Sequence, residues 1–146
     1  MRHMAWLHAV PEGSKNSRLK SFKDFDENSS FLKLPNIEGA EYLVALLSEV
    51  GFVQHTGMGA TSIPWTEIDS WLRCTQLNLS VWEKLVLKEM SEVYASQLIT
   101  STDKNHPAPY IPEVDDTEER RTHVANKLRS VFNSLKRKRT GEPSPQ

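Results

Sequence analysis

The chain has 146 residues, of which 38% are apolar, and its formal net charge is -1. This length suffices for one domain with a modest core, and the balanced charge excludes a global attraction to nucleic acid or to a membrane surface. The single cysteine, Cys74, excludes an intrachain disulfide, and no segment approaches the roughly 18 apolar residues of a membrane span, so a membrane is not an expected partner.

Residues 1–36 lack a sustained hydrophobic period, which predicts an extended N-terminal arm. Trp6 and Leu7 form a small apolar patch in this arm, just before Pro11. We expect such a patch to become ordered only where it meets a surface. Trp6 and Leu7 are therefore candidates for partner binding.

Three amphipathic helices are predicted within residues 37–99, and together they indicate a small helical core domain. The first covers about 38–50 and stops at Gly51, the second covers about 65–75 after Pro64, and the third runs from Ser80 to about 98. Residues 52–62 read as a loop, in which Gly57 and Gly59 indicate a hinge rather than a phosphate-binding turn, because no strand precedes them. The predicted core residues are Tyr42, Leu46, Ile68, Trp71, Leu72, Trp82, Val86, Met90 and Tyr94.

The third helix begins with the clearest local signal in the chain. Ser80 and Glu83 have the Ser-x-x-Glu spacing of a capping box. Trp82 lies inside this first turn, and we expect it to be the largest buried side chain. Its truncation to alanine would then cost about 3 to 5 kcal/mol and leave the chain largely unfolded.

The C-terminal third divides into three predicted segments. Residues 100–116 form a proline-rich linker, 117–139 an amphipathic helix with a basic end, and 140–146 a disordered tail. The narrow apolar stripe of that helix is a second candidate partner-binding surface, although it could equally pack on this chain's own core or on a second copy in a homo-oligomer. Its members are Val124, Leu128, Val131, Phe132 and Leu135.

The sequence contains no pattern that predicts catalysis, a metal site or a cofactor. The five histidines are scattered and none has metal-ligand spacing with another or with Cys74. Glu67 and Asp69 are two positions apart, so they point to different faces of a helix. We therefore predict a non-enzyme whose residues form no catalytic or metal site.

Nucleic-acid binding is the main alternative function. The helix pair around 65–98 has the layout of a helix-turn-helix, but its second helix starts Val81-Trp82-Glu83, where basic or amide side chains would be needed to read bases. The more suitable phosphate contacts are the four basic residues at the C-terminal helix end, although runs of this kind are more often solvated helix ends. They are Lys136, Arg137, Lys138 and Arg139.

The first hundred residues resemble phage tail assembly chaperones of long-tailed phages, including lambda-like siphoviruses. The resemblance lies in short motifs along the three predicted helices and their loops. They are Ser48-Glu49-Val50-Gly51, Gly57-Met58-Gly59, Glu67-Ile68-Asp69-Ser70-Trp71, Leu79-Ser80-Val81-Trp82-Glu83, Tyr94, and the opening residues 5–13. The chain departs from the family pattern at Pro64, at Val81 and at Gln76, which replaces a helix-ending glycine and would be strained by about 1 kcal/mol in a left-handed conformation.

The resemblance implies an assembly factor of the infected host cytoplasm that is absent from the mature virion. It implies the tape measure protein as the partner, with a companion chaperone or the major tail protein as further partners, and no cofactor. A minor structural tail protein is a further alternative. With the helical pattern, the predicted fold is all-α: about three core helices, a separate C-terminal helix and an extended N-terminal arm.

Overall fold

The computed structural model describes residues 1–57 and 59–111, together with 122, 125–126, 128–130 and 132–133. The chain divides into two units, Met1–Pro112 and Glu113–Gln146. Among the described residues, no helix is both long enough and apolar enough to cross a bilayer.

The first unit is mostly helical and contains one small hairpin. In chain order its elements are α1 (Arg2–His8), α2 (Arg18–Phe25), a 3₁₀ turn (Ser30–Leu32), α3 (Glu41–Val50), β1 (Gln54–Thr56), β2 (Gly59–Thr61), α4 (Trp65–Thr75) and α5 (Val81–Thr100). The strands are antiparallel in the register Gln54↔Thr61, His55↔Ala60 and Thr56↔Gly59. The prediction of a strictly all-α fold with a loop over 52–62 is therefore wrong, because three-residue strands are too short to give a readable alternation.

The main core lies between α3, α4, α5 and Ile63, which is two residues after the end of β2. Its buried members are Leu43, Leu47, Ile63, Ile68, Leu72 and Leu87. Of the predicted core residues, Ile68 and Leu72 lie in this cluster, and Tyr94 is buried as well. Those partly buried against the cluster are Leu46, Trp71, Val86 and Met90.

Trp82 and Tyr42 were predicted in the core, and for both the prediction is wrong. Trp82 is 61% exposed and Tyr42 is 45% exposed. At about 100° per residue, Trp82 lies roughly 140° around the axis of α5 from the fully buried Leu87, so the two side chains leave the helix on different sides. The Tyr42 hydroxyl reaches the surface and donates to Glu83 Oε1 at 3.1 Å.

The N-terminal segment is folded, so the predicted extended arm is also wrong. α1 packs against α5, and α2 packs against α1 and contacts the residues that follow α5 through Arg18. An aromatic cluster forms around Trp6 in this segment. Trp6 stacks on His3 and Phe22 with ring centroids 5.5 and 5.8 Å apart, and Phe22 stacks on Phe31 at 5.3 Å. Sequence periodicity could not show this because the contacts link residues that are far apart in the chain.

The start of the predicted linker is tied to the N-terminal helices. Arg18 donates hydrogen bonds to the carbonyl oxygens of Ser101 and Asp103, and its guanidinium lies 4.9 Å from the centre of the Trp6 ring. The Trp6 indole N–H donates to the carbonyl of His106 at 3.0 Å. The backbone carbonyls of Ser101, Asp103 and His106 are thus held by the N-terminal helices, although residues 102–105 are exposed.

The two predicted turn features at the α4–α5 connection take definite conformations. Gln76 has φ 57° and ψ 25°, a left-handed conformation that follows the last turn of α4. Ser80 and Glu83 form the complete capping box, with Ser80 N–H donating to Glu83 Oε2 at 2.7 Å and Glu83 N–H donating to Ser80 Oγ at 3.3 Å. These hydrogen bonds lower the pKa of Glu83 below its ordinary value.

Candidate partner-binding site

The sequence-predicted partner residues are divided between buried, exposed and undescribed positions. Trp6 and Leu7 are only 5% and 3% exposed, so this fold uses them for internal packing. Leu128 and Phe132 are helical and exposed within the second unit. The other predicted members of the C-terminal surfaces lie outside the described residues: Val124, Val131, Leu135, Lys136, Arg137, Lys138 and Arg139.

A different apolar surface is present at the start of α5. Val81, Trp82 and Leu85 are 74%, 61% and 54% exposed, and we call these three residues the α5 outer face. They share one side of the helix because residues three and four positions apart are neighbours on a helix surface. A large aromatic side chain flanked by two aliphatic ones is typical of a protein-binding surface.

The capping box and a neighbouring tyrosine hold this face in place. Ser80 fixes the first turn of α5, while Tyr42 on α3 donates to the same Glu83 carboxylate that closes the box. These hydrogen bonds fix the first turn of α5, the turn from which Trp82 projects. A rigid apolar side chain loses little conformational freedom on binding.

Carboxylates follow the outer face along the same side of α5. Glu89 is exposed and lies four positions after Leu85. Glu92 lies farther along and is paired with Lys88 at 3.2 Å. The surface therefore combines an apolar end with an acidic continuation, which suits an apolar helix face flanked by a basic residue.

The sequence contained a signal for the exposed α5 outer face, and the analysis of hydrophobic periodicity missed it. Apolar residues occur around the whole circumference of α5, and a helix that is apolar all round is normally buried on more than one side. In this unit α5 packs on α1, α3 and β2, yet its outer face at the start of the helix is left uncovered within the described residues.

The described residues form no group of three or more histidine, cysteine, aspartate or glutamate side chains that could hold a metal ion. Cys74 is exposed near the end of α4. The exposed apolar side chains of the α5 outer face supply a surface that another protein can contact. The part of the chain that the structure describes places no cluster of metal-binding side chains around it.

Comparison with known proteins assigns this arrangement to a family. A family model described as phage tail assembly chaperone matches residues 33–95. Over these residues the chain is of the phage tail assembly chaperone type. No curated protein and no solved structure matches it.

The matched segment of this chaperone contains α3, the hairpin, α4 and most of α5, and hence the whole α5 outer face. α1, α2 and the segment after residue 95 lie outside it. The role of the chain in tail assembly, with protein partners, follows from the family.

Proposed function

We propose that this chaperone binds the tape measure protein while the tail is being assembled, and that it does so through the α5 outer face without enzymatic chemistry. The observation that carries the proposal is the exposure of Trp82 beside Val81 and Leu85 inside the family-matched segment. The tape measure protein is a long and largely helical chain. A stripe of apolar side chains on such a helix fits a short apolar face by helix-in-groove packing.

The same surface explains how the interaction could be reversible. Three side chains form a small contact, and small contacts of this kind are typical of transient complexes rather than obligate ones. We propose that the complex forms in the host cytoplasm and dissociates before the virion is complete. Leu128 and Phe132 of the C-terminal segment stay candidates for an additional contact.

Trp82→Ser tests the proposal against a matched control, Trp65→Ser. Trp65 is likewise an exposed tryptophan in the first turn of a helix, and it is 46% exposed. Each variant is co-expressed with the tape measure protein of the same phage, and the complex is recovered from a tag on the chaperone. If Trp82 is a central contact, its loss should weaken binding by about 2 kcal/mol, or roughly 30-fold, while Trp65→Ser stays close to the parent.

Three outcomes would contradict the proposal. The first is that the two proteins are each soluble alone and form no complex. The second is that both tryptophan variants bind like the parent. The third is that mass spectrometry finds the chain in purified virions at the level of a structural protein, which would favour a minor tail component.

A further inference from the structure

A second candidate docking site lies beside β1, on the side of that strand that faces away from β2. A pocket of about 370 Å³ opens between the end of α1, the chain leading into β1, and the later turns of α5. From β1 and its approach it is lined by Phe52, Val53 and His55, and from α5 by Tyr94 and Leu98. No residue of β2 lines it, so the pocket borders the outer edge of β1.

The outer edge of β1 offers backbone groups for pairing. Within the described residues β1 pairs only with β2, in a two-stranded sheet. Thr56 and Gly59 flank the two-residue connection of the hairpin, and a connection of this length closes on a hydrogen-bonded residue pair. Hydrogen-bonded and non-hydrogen-bonded pairs alternate along an antiparallel ladder, so His55 and Ala60 form a non-hydrogen-bonded pair. The N–H and C=O of His55 therefore point away from β2, toward the open edge.

The pocket lies on the face of β1 where an added strand would place alternate side chains. Val53 and His55 are two positions apart, so their side chains leave the strand on the same face, and both line the pocket. A strand paired with β1 would direct every second side chain to this face. This is the geometry of strand addition, in which backbone pairing supplies affinity and a side-chain pocket supplies selectivity.

The hairpin is held rigidly enough to serve as a template. Ser91 on α5 is fully buried, and its hydroxyl donates to the carbonyl of Phe52 at 2.8 Å while accepting from the Ile63 N–H at 2.9 Å. One side chain thus fixes the chain just before β1 and just after β2. Gly51, with φ 102°, makes the turn from α3 that directs the chain past the pocket.

The pocket walls favour an uncharged occupant. Phe52 and Tyr94 stack with centroids 4.8 Å apart, and His8 lies edge-on to both rings with its Nδ1 hydrogen-bonded to the Tyr94 hydroxyl. Burial lowers the pKa of His8, so its ring is neutral at neutral pH, and burial raises the pKa of Tyr94 to about 12. The volume is at the lower end of the range of about 300–1,000 Å³ typical of ligand pockets, which suits one large side chain.

We propose that this pocket and the open edge of β1 together bind an extended peptide segment that carries a large apolar side chain. The segment pairs with His55 through its backbone and inserts that side chain against Phe52, Tyr94 and Leu98. Trp82 does not line this pocket, so the site is separate from the α5 outer face. It gives the chaperone a second binding site on a partner, one that takes extended segments of the partner rather than helices.

The test titrates the full chain with an acetylated, amidated peptide Thr-Val-Phe-Val-Thr. NMR signals of the chain report the binding. The comparison peptides replace the central phenylalanine with alanine, or carry N-methyl groups that block backbone pairing. We expect the phenylalanine peptide to shift the His55 amide and Leu98 methyl signals, and each comparison peptide to bind at least about tenfold more weakly. Trp82→Ser should leave this binding unchanged, which separates the site from the proposed tape measure surface.

Leu98→Trp fills the pocket and should weaken binding of the phenylalanine peptide at least about tenfold. Its matched control is Ile99→Trp, which adds the same side chain at an exposed neighbouring position and should stay within about twofold of the parent. His55→Pro removes the outward N–H without touching the β2 pairing and should also weaken binding. Equal binding of the phenylalanine and alanine peptides, shifts confined to other surfaces, or no shifts at about 1 mM peptide would overturn the proposal.

Discussion

Arg18→Met should strongly destabilise the fold, although Arg18 lies outside the main core. Arg18 is 7% exposed, and its guanidinium serves three neighbours: the carbonyls of Ser101 and Asp103 and the face of Trp6. A hydrogen bond from a charged donor contributes about 1.5–3 kcal/mol, and a cation over an indole about 0.5–2 kcal/mol. Because these terms share one side chain they do not add fully.

We therefore expect Arg18→Met to lower the free energy of unfolding by about 3–5 kcal/mol. The methionine substitution removes the guanidinium donor from the buried Ser101 carbonyl and one of two donors from the Asp103 carbonyl, which also accepts from the His106 N–H at 3.2 Å. This loss is large against the total of about 5–15 kcal/mol typical of a folded domain. It also removes a cation from the negative end of α5.

Urea unfolding monitored by both tryptophan fluorescence and far-UV circular dichroism measures this effect. Arg73→Met is the matched control, because Arg73 is exposed and pairs only with Asp69 at 3.0 Å on the surface of α4. That change should alter stability by no more than about 0.5 kcal/mol. If Arg18→Met loses less than about 1 kcal/mol with an unchanged slope, the buried guanidinium does not hold the N-terminal helices on α5 and the reasoning fails.

Three further outcomes can be checked by urea unfolding of the full chain. Gln76→Gly should stabilise the protein by up to about 1 kcal/mol, because glycine adopts the left-handed conformation at this position without steric strain; a loss of stability would show that the strain is absent. Ser80→Ala should cost about 1 kcal/mol by opening the capping box, whereas a neutral result would mean that water replaces the serine hydroxyl. Burial lowers the pKa of His8, so its contribution is complete above an unfolded-state pKa of about 6.5 and is lost as the pH falls through the lower folded-state pKa. The unfolding midpoint of the parent should therefore drop more than that of His8→Gln between about pH 7.5 and about pH 5.5, and parallel drops would contradict the prediction.

Local chemistry at the α4–α5 connection was readable from the sequence. Ser80 and Glu83 satisfy each other's backbone groups within one turn, so their spacing alone is sufficient to predict the cap. The helical segments α3, α4 and α5 overlap the predicted ones for the same reason. At Gln76 the chain takes the left-handed conformation that commonly ends a helix, although the glycine that usually signals it is absent from the sequence.

The direction in which α5 faces was not readable from the sequence, although Ile68 and Leu72 correctly marked the buried side of α4. α5 carries apolar residues on all sides, so periodicity could not decide whether Leu87 or Trp82 would face the core. Partner contacts were predicted at the C-terminal helix and at Trp6 and Leu7, which are buried, whereas the exposed Trp82 was placed in the core. The pocket beside β1 depends on His8, Phe52 and Leu98, which no local pattern relates.

The sequence by itself determined approximately where α3, α4 and α5 start and stop, because caps, turn residues and short-range spacing act over a few residues, but it did not reveal α1 and α2. It also carried the motifs that resemble tail assembly chaperones. Only the tertiary structure decided which apolar side chains were left over for a partner. That choice depends on contacts between distant segments of the chain: α1, α3 and β2 pack on α5, where Leu87 is buried, while Val81, Trp82 and Leu85 at the start of α5 stay exposed.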